Sequence, residues 1–153
     1  MQNAELSCAI TSTQSVPSAF NIQNSFHIPN MDIDKDNPIA IKTKAFALRI
    51  IKLYQYLQES KNEHTLSKQA LRSGTSIGAN VREALRGQSK ADFGAKMNIA
   101  LKEAAETEYW LELLHEALYI DDNSFTSINA DLSEILSMLT SIVKTTFKTN
   151  DRK

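Results

Sequence analysis

Residues 45–57 read AFALRIIKLYQYL, and their apolar side chains recur every three or four positions. The recurring residues are Phe46, Ile50, Leu53, Tyr54 and Leu57. This spacing places them on one face of an α-helix, so it predicts a helix that buries a single apolar stripe. The pattern starts at Ile39, and the polar residues 59–63 are expected to form the connection that follows.

Three further segments of the same kind follow along the chain. The second helix is expected from His64 to Arg86, the third from about Lys90 to Tyr119, and the fourth from about Phe125 to Phe147. The expected core residues of the second helix are Leu66, Ala70, Ile77, Val81 and Ala84. Those of the third are Phe93, Met97, Ala100, Leu101, Ala104, Leu111 and Leu118. Those of the fourth are Ile128, Leu132, Ile135, Leu136, Leu139, Ile142 and Val143.

Short polar residues mark the starts of these helices. Ser89, with Asp92 three residues later, is typical of a helix cap and predicts the start of the third helix. Thr65 or Asn62 is the expected cap of the second helix. Residues 121–124, DDNS, are expected to supply a polar turn and the cap of the fourth.

The fold class follows from these helices and from the scarcity of turn residues. Four glycines and three prolines among 153 residues are too few for the turns of an all-β fold. Four amphipathic helices with short connections predict an all-α protein, an antiparallel up-down-up-down four-helix bundle over residues 38–148. Residues 149–153 are expected to form a polar C-terminal end.

The N-terminal residues 1–37 differ in composition from the rest. No charged residue lies between Leu6 and Met31, and Ser, Thr, Asn and Gln predominate. A segment that buries so little apolar surface is expected to be a flexible polar extension. Met31 is a second candidate start of translation, which the intact mass of the native protein would decide.

Composition also bears on the compartment and on the kinds of site. No apolar run approaches the roughly 18 residues of a membrane span, so no membrane association is expected. Cys8 is the single cysteine, which excludes an internal disulfide and a cysteine zinc site. We expect a cytoplasmic protein with no cofactor and no metal.

Charge is divided between segments although the net charge is only -1. Residues 39–103 carry twelve lysines and arginines against five acids, and residues 104–134 carry eight acids and neither lysine nor arginine. Opposite charges of this kind either neutralise each other between helices or subunits, or form separate surfaces that attract partners.

The second helix carries the most informative charged pattern, a row that we call the basic ridge. Its four cations are Lys68, Arg72, Arg82 and Arg86. They fall within a sector of about 80°, nearly opposite the apolar stripe, and extend over about 27 Å. Such a row can follow a phosphate backbone. The alternatives are a solvated face or a contact with acids of a neighbouring subunit.

Two glycines and two aromatic residues are candidates for close contacts. Gly74 and Gly78 each cost about 1 kcal/mol within a helix relative to alanine, which suggests that a helix or subunit approaches closely there. Their spacing fits no phosphate-binding loop. Tyr109 and Trp110 are candidate core or interface anchors.

The third helix contains one Glu-x-x-His unit, formed by Glu112 and His115. Di-iron bundles use two such units with two more glutamates, so a metal-dependent enzyme is a remote alternative here. No serine, threonine or cysteine has a histidine at a diagnostic spacing, and the sequence therefore predicts no reaction.

The strings SGTSIGANVREA (residues 73–84) and SKADFGAKMNIALKEAAETEYWLELL (residues 89–114) resemble the small bacterial 23S rRNA intervening sequence proteins. The first helix, AFALRIIKLYQYL, is also similar to that family, and the resemblance covers about residues 37–147. Residues 1–35 depart from the compact family pattern.

The resemblance implies an antiparallel four-helix bundle without catalytic activity that forms a homo-oligomer, with a pentamer favoured. A related branch, the basic accessory proteins of diversity-generating retroelements, binds nucleic acid and a reverse transcriptase; this chain is less basic. The resemblance makes RNA or a nucleoprotein the candidate partner of Lys68, Arg72, Arg82 and Arg86. Gly74, Gly78, Tyr109 and Trp110 become candidate interface residues. A protein-binding scaffold without a nucleic-acid role is the alternative.

Overall fold

The structure, a computed structural model, describes residues 36–148. Within them the chain forms four helices and no strand: α1 (Pro38–Lys61), α2 (Leu66–Leu85), α3 (Lys90–Glu116) and α4 (Asp122–Lys148). Each helix packs against the next and α4 packs against α1, whereas the backbones of the diagonal pairs α1–α3 and α2–α4 do not approach within 8 Å of each other. The predicted all-α, up-down-up-down four-helix bundle is confirmed.

Two predicted segments lie mostly or wholly outside the described residues. Of the expected N-terminal extension only Asp36 and Asn37 are described, and of the expected C-terminal end none is. The predictions for residues 1–35 and 149–153 therefore stay predictions.

Short polar residues cap α1 and α3. Asn37 precedes Pro38, the first residue of α1, and its Oδ1 accepts the Ile39 N–H at 3.2 Å. Ser89 Oγ accepts the Asp92 N–H at 3.1 Å, which confirms the predicted cap of α3. Each cap satisfies a backbone N–H that has no partner inside the helix.

The fourth helix starts earlier than the sequence predicts. Asp121 Oδ1 accepts the Ser124 N–H at 2.7 Å, and α4 begins at Asp122 rather than near Phe125. The polar residues expected in the turn thus form the first turn of the helix, where negative charge is favourable.

A glutamate, and not the predicted Thr65 or Asn62, caps α2. Glu63 is buried, and its carboxylate accepts the N–H groups of Thr65 at 2.9 Å, Leu66 at 2.8 Å and Ser67 at 2.7 Å. Asn62 takes a left-handed φ of 51° as α1 ends, a conformation that asparagine tolerates well. Sequence analysis missed this cap because Glu63 lies two residues before Thr65 and reaches the start of the helix from there.

The predicted core is largely confirmed. Buried members are Phe46, Ile50, Leu53, Leu57, Ala70, Ile77, Val81, Ala84, Phe93, Met97, Ala100, Ala104, Leu111, Ile128, Leu132, Ile135, Leu139 and Ile142. Half-buried members are Tyr54, Leu66, Leu101, Leu136 and Val143. These stripes all face the bundle axis, where the hydrophobic effect stabilises the packing.

Leu118 is the exception, and its assignment to the core is wrong. Its side chain is 84% exposed, because α3 ends at Glu116 and Leu118 adopts a left-handed φ of 63°. The Tyr119 N–H then donates to the Leu114 carbonyl oxygen at 2.9 Å, a helix-ending turn. Ile120 is buried in place of Leu118.

A buried arginine joins α1 to α4. Arg49 is 5% exposed and forms an ion pair with Asp131. Its Nη2 donates to Ser127 Oγ at 2.8 Å and its Nη1 to the Ser127 carbonyl oxygen at 3.3 Å. Helical spacing gave no sign of this contact, since an arginine is ordinarily exposed.

The capping carboxylate makes folding stability depend on pH. Burial alone would raise the pKa of Glu63, but hydrogen bonds from the backbone of Leu66, Ser67 and Thr65 and from the Ser67 hydroxyl lower the pKa below its usual value. The stabilisation is present above the usual pKa of 4.5 and is lost as the pH falls through the lower folded pKa.

We therefore expect Glu63→Gln to reduce the free energy of unfolding by about 1–2 kcal/mol at pH 7, because a neutral amide is a weaker cap. The difference from wild type should shrink as the pH falls below 4.5 and should vanish below the lower folded pKa, where the wild-type carboxylate is itself protonated. Urea unfolding of both proteins from pH 7 to pH 3 measures this difference in the free energy of unfolding. A difference that stays constant over this range would contradict the assignment.

Candidate functional site

All four cations of the basic ridge are exposed, and Arg72 lies on the flank of α2 next to α3. It faces α3, forms an ion pair with Glu106, and its Nη1 lies 3.6 Å from Glu103 Oε2. The hydrogen bond from Arg72 lowers the pKa of Glu106, and a second one from Trp110 lowers it further. Its charge is thus paired within the chain, and the expectation that Arg72 contacts phosphate stays a prediction.

Glu83, the acid nearest to the ridge, is also directed towards α3. It pairs with Lys96, and this hydrogen bond raises the pKa of the lysine. Arg72 and Glu83 of α2 are thus both paired with residues of α3. The other exposed cations of the basic ridge are Lys68, Arg82 and Arg86.

A shallow groove of about 240 Å³ lies between α1 and α2. Its lining residues are Ala40, Thr43, Lys44, Ala47, Thr75, Gly78, Ala79 and Arg82. Small side chains leave the space open, while Lys44 and Arg82 contribute one cation from each helix. None of the eight lining residues is acidic, so the groove attracts anions.

Lys44 is the residue of this surface that sequence analysis missed. Helical spacing relates residues of one helix to each other, but it does not say which residue of α1 lies beside α2. Lys44 and Arg82 line the same groove because α1 and α2 pair antiparallel, with Gly78 next to Thr43. The spacing of residues within one helix does not contain this pairing.

Lys68 and Arg86 extend the positive surface along α2 beyond the groove. They are separated by about 27 Å along the helix axis. Neither Lys44 nor Lys68 has a hydrogen-bond or ion-pair partner among residues 36–148, and Arg86 Nη1 donates to the Arg82 carbonyl oxygen at 3.5 Å. We call the surface formed by Lys44, Lys68, Arg82 and Arg86 the basic face.

The two glycines of α2 lie against α1 of the same chain. Gly74 is buried, and a Cβ there would lie 2.9 Å from Ile50 Cγ1. At Gly78 a Cβ would lie 3.5 Å from the Thr43 carbonyl oxygen, an ordinary contact distance. Gly74 therefore serves packing between helices of the bundle, one of the two roles expected for it, and its place at a subunit interface stays a prediction. Gly78 lines the groove.

The two aromatic candidates have different surroundings. Trp110 is half-buried, and its Nε1 donates to Glu106 Oε1 at 3.1 Å, so it belongs to the ion-pair cluster of α2 and α3. The expectation of Trp110 as an interface anchor stays a prediction. Tyr109 is 53% exposed, with its ring 5.1 Å from that of Trp110. The interface role of Tyr109 stays a prediction.

The Glu-x-x-His unit does not form the geometry of a metal site. His115 Nε2 lies 2.7 Å from Asp122 Oδ1, and its ring stacks on Phe125 at a centroid distance of 4.2 Å. Glu112 is exposed. In the part of the chain that the structure describes, no three His, Cys, Asp or Glu residues are grouped as metal ligands. The imidazole joins the end of α3 to the start of α4.

None of the helices between residues 36 and 148 has the length and apolar character needed to cross a membrane.

Comparison with known proteins gives a family match and a solved structure. A family model described as 23S rRNA-intervening sequence protein matches residues 35–141. A protein of unknown function from the S23 ribosomal protein family of Bacteroides thetaiotaomicron is 56% identical, with a TM-score of 0.69, over 69% of this chain and 98% of that one. Comparison with curated proteins found no match.

The packing role of Gly74 predicts opposite effects for two alanine substitutions on the same helix. Gly74→Ala places a methyl group against the buried Ile50, and we expect a loss of about 1 kcal/mol despite the better helix propensity. Gly78→Ala, the matched control, fits without a clash and should gain up to about 1 kcal/mol. Urea unfolding at one protein concentration measures both. A Gly74→Ala protein as stable as Gly78→Ala would contradict this packing.

Proposed function

Because the chain belongs to the 23S rRNA-intervening sequence protein family, we propose that it is a non-enzymatic protein that binds structured RNA through its basic face. The observation that carries the proposal is the groove between α1 and α2, whose lining includes Lys44 and Arg82 and no acid. The chain binds RNA as a homo-oligomer, and a pentamer is the oligomer that we expect.

The chemistry of the basic face suits a phosphate backbone. Its cations extend along α2 over about 27 Å, which is long enough to contact several successive phosphates. Each contact releases counterions from the nucleic acid, so affinity falls as salt concentration rises. The sequence has a net charge of -1. Binding therefore depends on the cations gathered on the basic face rather than on an overall positive charge of the protein.

The same surface indicates what kind of recognition to expect. The groove lining contains no aromatic residue on which a base could stack. Single-stranded RNA readers use such platforms, whereas double-stranded RNA is recognised mainly by its shape and its phosphates. We therefore propose a structured, helical RNA as the ligand, bound without strong sequence preference.

Protein names support RNA as the partner without identifying it. The family description refers to 23S rRNA, and the similar bacterial structure is assigned to a ribosomal protein family while its own function is unknown. Neither description names a reaction, in keeping with a non-enzymatic role. A protein-binding scaffold is the competing proposal, and the exposed apolar side chains of α1 support it.

Fluorescence anisotropy with a labelled RNA hairpin and a DNA duplex of equal length, over a salt series, tests the proposal. Changing Lys44, Lys68, Arg82 and Arg86 to Gln should weaken RNA binding at least about tenfold and reduce the salt slope by up to about four. The control changes Lys90, Lys102, Lys144 and Lys148 to Gln, so that net charge falls equally. Light scattering checks that both variants keep the oligomeric state of wild type.

Arg72→Gln provides a sharper comparison within α2. Because Glu106 and Glu103 already neutralise Arg72, its removal should change RNA affinity less than about twofold. Wild type that does not bind RNA at low salt would overturn the proposal. So would a control variant that loses as much affinity as the basic-face variant.

A further inference from the structure

Three acidic residues precede α1 at spacings of two along the chain. Asp32, Asp34 and Asp36 belong to the stretch MDIDKD (residues 31–36), which also contains Lys35. Side chains two residues apart lie on the same side of an extended segment, so such a segment presents the three carboxylates together and Lys35 on its other side. From Asp32 to Asp36 this acidic row would be about 13 Å long. We call residues 32–36 the acidic segment.

The acidic segment ends beside the groove between α1 and α2. Asp36 is exposed and lies where the chain bends, and Asn37 and Pro38 follow it as the cap and the first residue of α1. Ala40 already lines the groove. Since Asp36 precedes Ala40 by only four positions, the acidic segment is tethered at one end of the groove.

That end of the groove carries arginines of α2. The two helices pair antiparallel, with Gly78 next to Thr43, so residues later in α2 lie beside residues earlier in α1. Arg82, four positions after Gly78, lines the groove together with Ala40. Arg86 is exposed one turn further on, at the level of the residues that precede α1.

Lys44 continues the positive charge along the groove, about 9 Å from Pro38 along the axis of α1. An extended segment that turns back at Asp36 covers about 3.3 Å per residue. It therefore brings Asp34 to the level of Arg82 and Asp32 to the level of Lys44. The spacing of the two carboxylates thus matches the spacing of the two cations.

Acidic residues of the two helices do not cancel this charge. None of the eight lining residues is acidic. The acid of α1 is Glu59, twelve positions beyond the last lining residue of that helix. The acid of α2 is Glu83, which pairs with Lys96 of α3. Asp92, near the end of α2, accepts the Gln88 N–H at 3.3 Å.

We propose that the acidic segment binds in the groove of its own chain, with Asp34 on Arg82 and Asp32 on Lys44, and competes there with RNA. The competition rests on the proposed function, whereas the binding of the segment does not. Attachment beside the groove gives the segment a high effective concentration.

This competition is partial by its chemistry. Ion pairs between exposed side chains are individually weak, whereas an RNA helix supplies many phosphates and releases counterions as it binds. RNA therefore displaces the acidic segment and protects Lys44 more completely than the segment does. The segment lowers the affinity for every polyanion, and it excludes those with few charges most effectively.

Carbodiimide cross-linking of the full chain without RNA tests the binding of the acidic segment, because this reagent joins a carboxylate to an amine in contact with it. We expect Asp32 or Asp34 to be joined to Lys44, and mass spectrometry identifies the joined peptides. The yield should fall at least about threefold in about 1 M salt, which screens exposed ion pairs. Lys42, which pairs with Glu134 on the α4 side of α1, is the internal control. No product at Lys44, or an equal yield at Lys42, would overturn the binding.

Isotope labelling shows which chain supplies the segment. Heavy-nitrogen-labelled and unlabelled protein are refolded together in equal amounts before cross-linking. The joined peptides should be wholly labelled or wholly unlabelled. Peptides with one labelled and one unlabelled part, in the proportion expected for random pairing, would overturn binding within the same chain.

Fluorescence anisotropy with the labelled RNA hairpin tests the competition. Asp32→Asn combined with Asp34→Asn should tighten RNA binding about threefold beyond the matched control, since the groove is then open. The control combines Glu59→Gln with Glu112→Gln, two exposed acids outside the groove, and changes the net charge equally. Light scattering checks that both variants keep the oligomeric state of wild type. Equal affinity of the two variants would overturn the competition.

The two experiments separate this inference from the proposed function. If neither wild type nor the Asp32 and Asp34 variant binds RNA at low salt, the proposed function fails and the competition fails with it. A salt-sensitive cross-link to Lys44 would still support binding of the acidic segment in that case. RNA binding by a wild-type protein that gives no cross-link to Lys44 would overturn the inference and leave the proposed function standing.

Discussion

The close approach of α1 and α2 at Gly74 is the constraint on which the surface of this protein depends. A Cβ at Gly74 would lie 2.9 Å from Ile50 Cγ1, so any larger residue there forces its neighbours to shift. One turn further along α2, Gly78 lies next to Thr43 and the groove opens. Lys44 of α1 and Arg82 of α2 both line that groove.

The opposite flank of α2 is fixed by polar contacts with α3. Thr107 Oγ1 donates to Ser73 Oγ at 2.9 Å in the buried interior, and the ion pairs of Arg72 and Lys96 lie at the surface. The ion pairs neutralise, within the chain, part of the charge that α2 and α3 carry. Lys44 and Arg82 line the groove between α1 and α2, whereas Glu112 and Glu116 are exposed on α3. A net charge near zero thus coexists with two charged surfaces.

Much of the fold was predictable from the sequence, because burial is periodic along a helix. The stripe from Phe46 to Leu57 and the cap at Ser89 depend on local spacing alone. Leu118 was placed in the core because it continues that spacing, but the helix ends before it. Glu63 as a cap and Arg49 as a buried ion pair depend on where the chain turns and which helix lies alongside.

The candidate site was predictable only in part for the same reason. Helical spacing placed Lys68, Arg72, Arg82 and Arg86 on one sector of α2, and all four are exposed. It could not show that the flank with Arg72 faces acids of α3, nor that Lys44 of α1 joins the other flank. The angular position of a residue on its own helix is local information, whereas its neighbours are set by the order of helices around the bundle.

Lysine footprinting with and without a structured RNA tests the central claim most directly. Acetylation rates, read by mass spectrometry of the full chain, report the accessibility of each ammonium group. The account predicts that RNA slows modification of Lys44 and Lys68 and leaves Lys90, Lys144 and Lys148 unchanged. Equal protection of all five lysines, or none at Lys44 and Lys68 when RNA is bound, would contradict the assignment of the basic face.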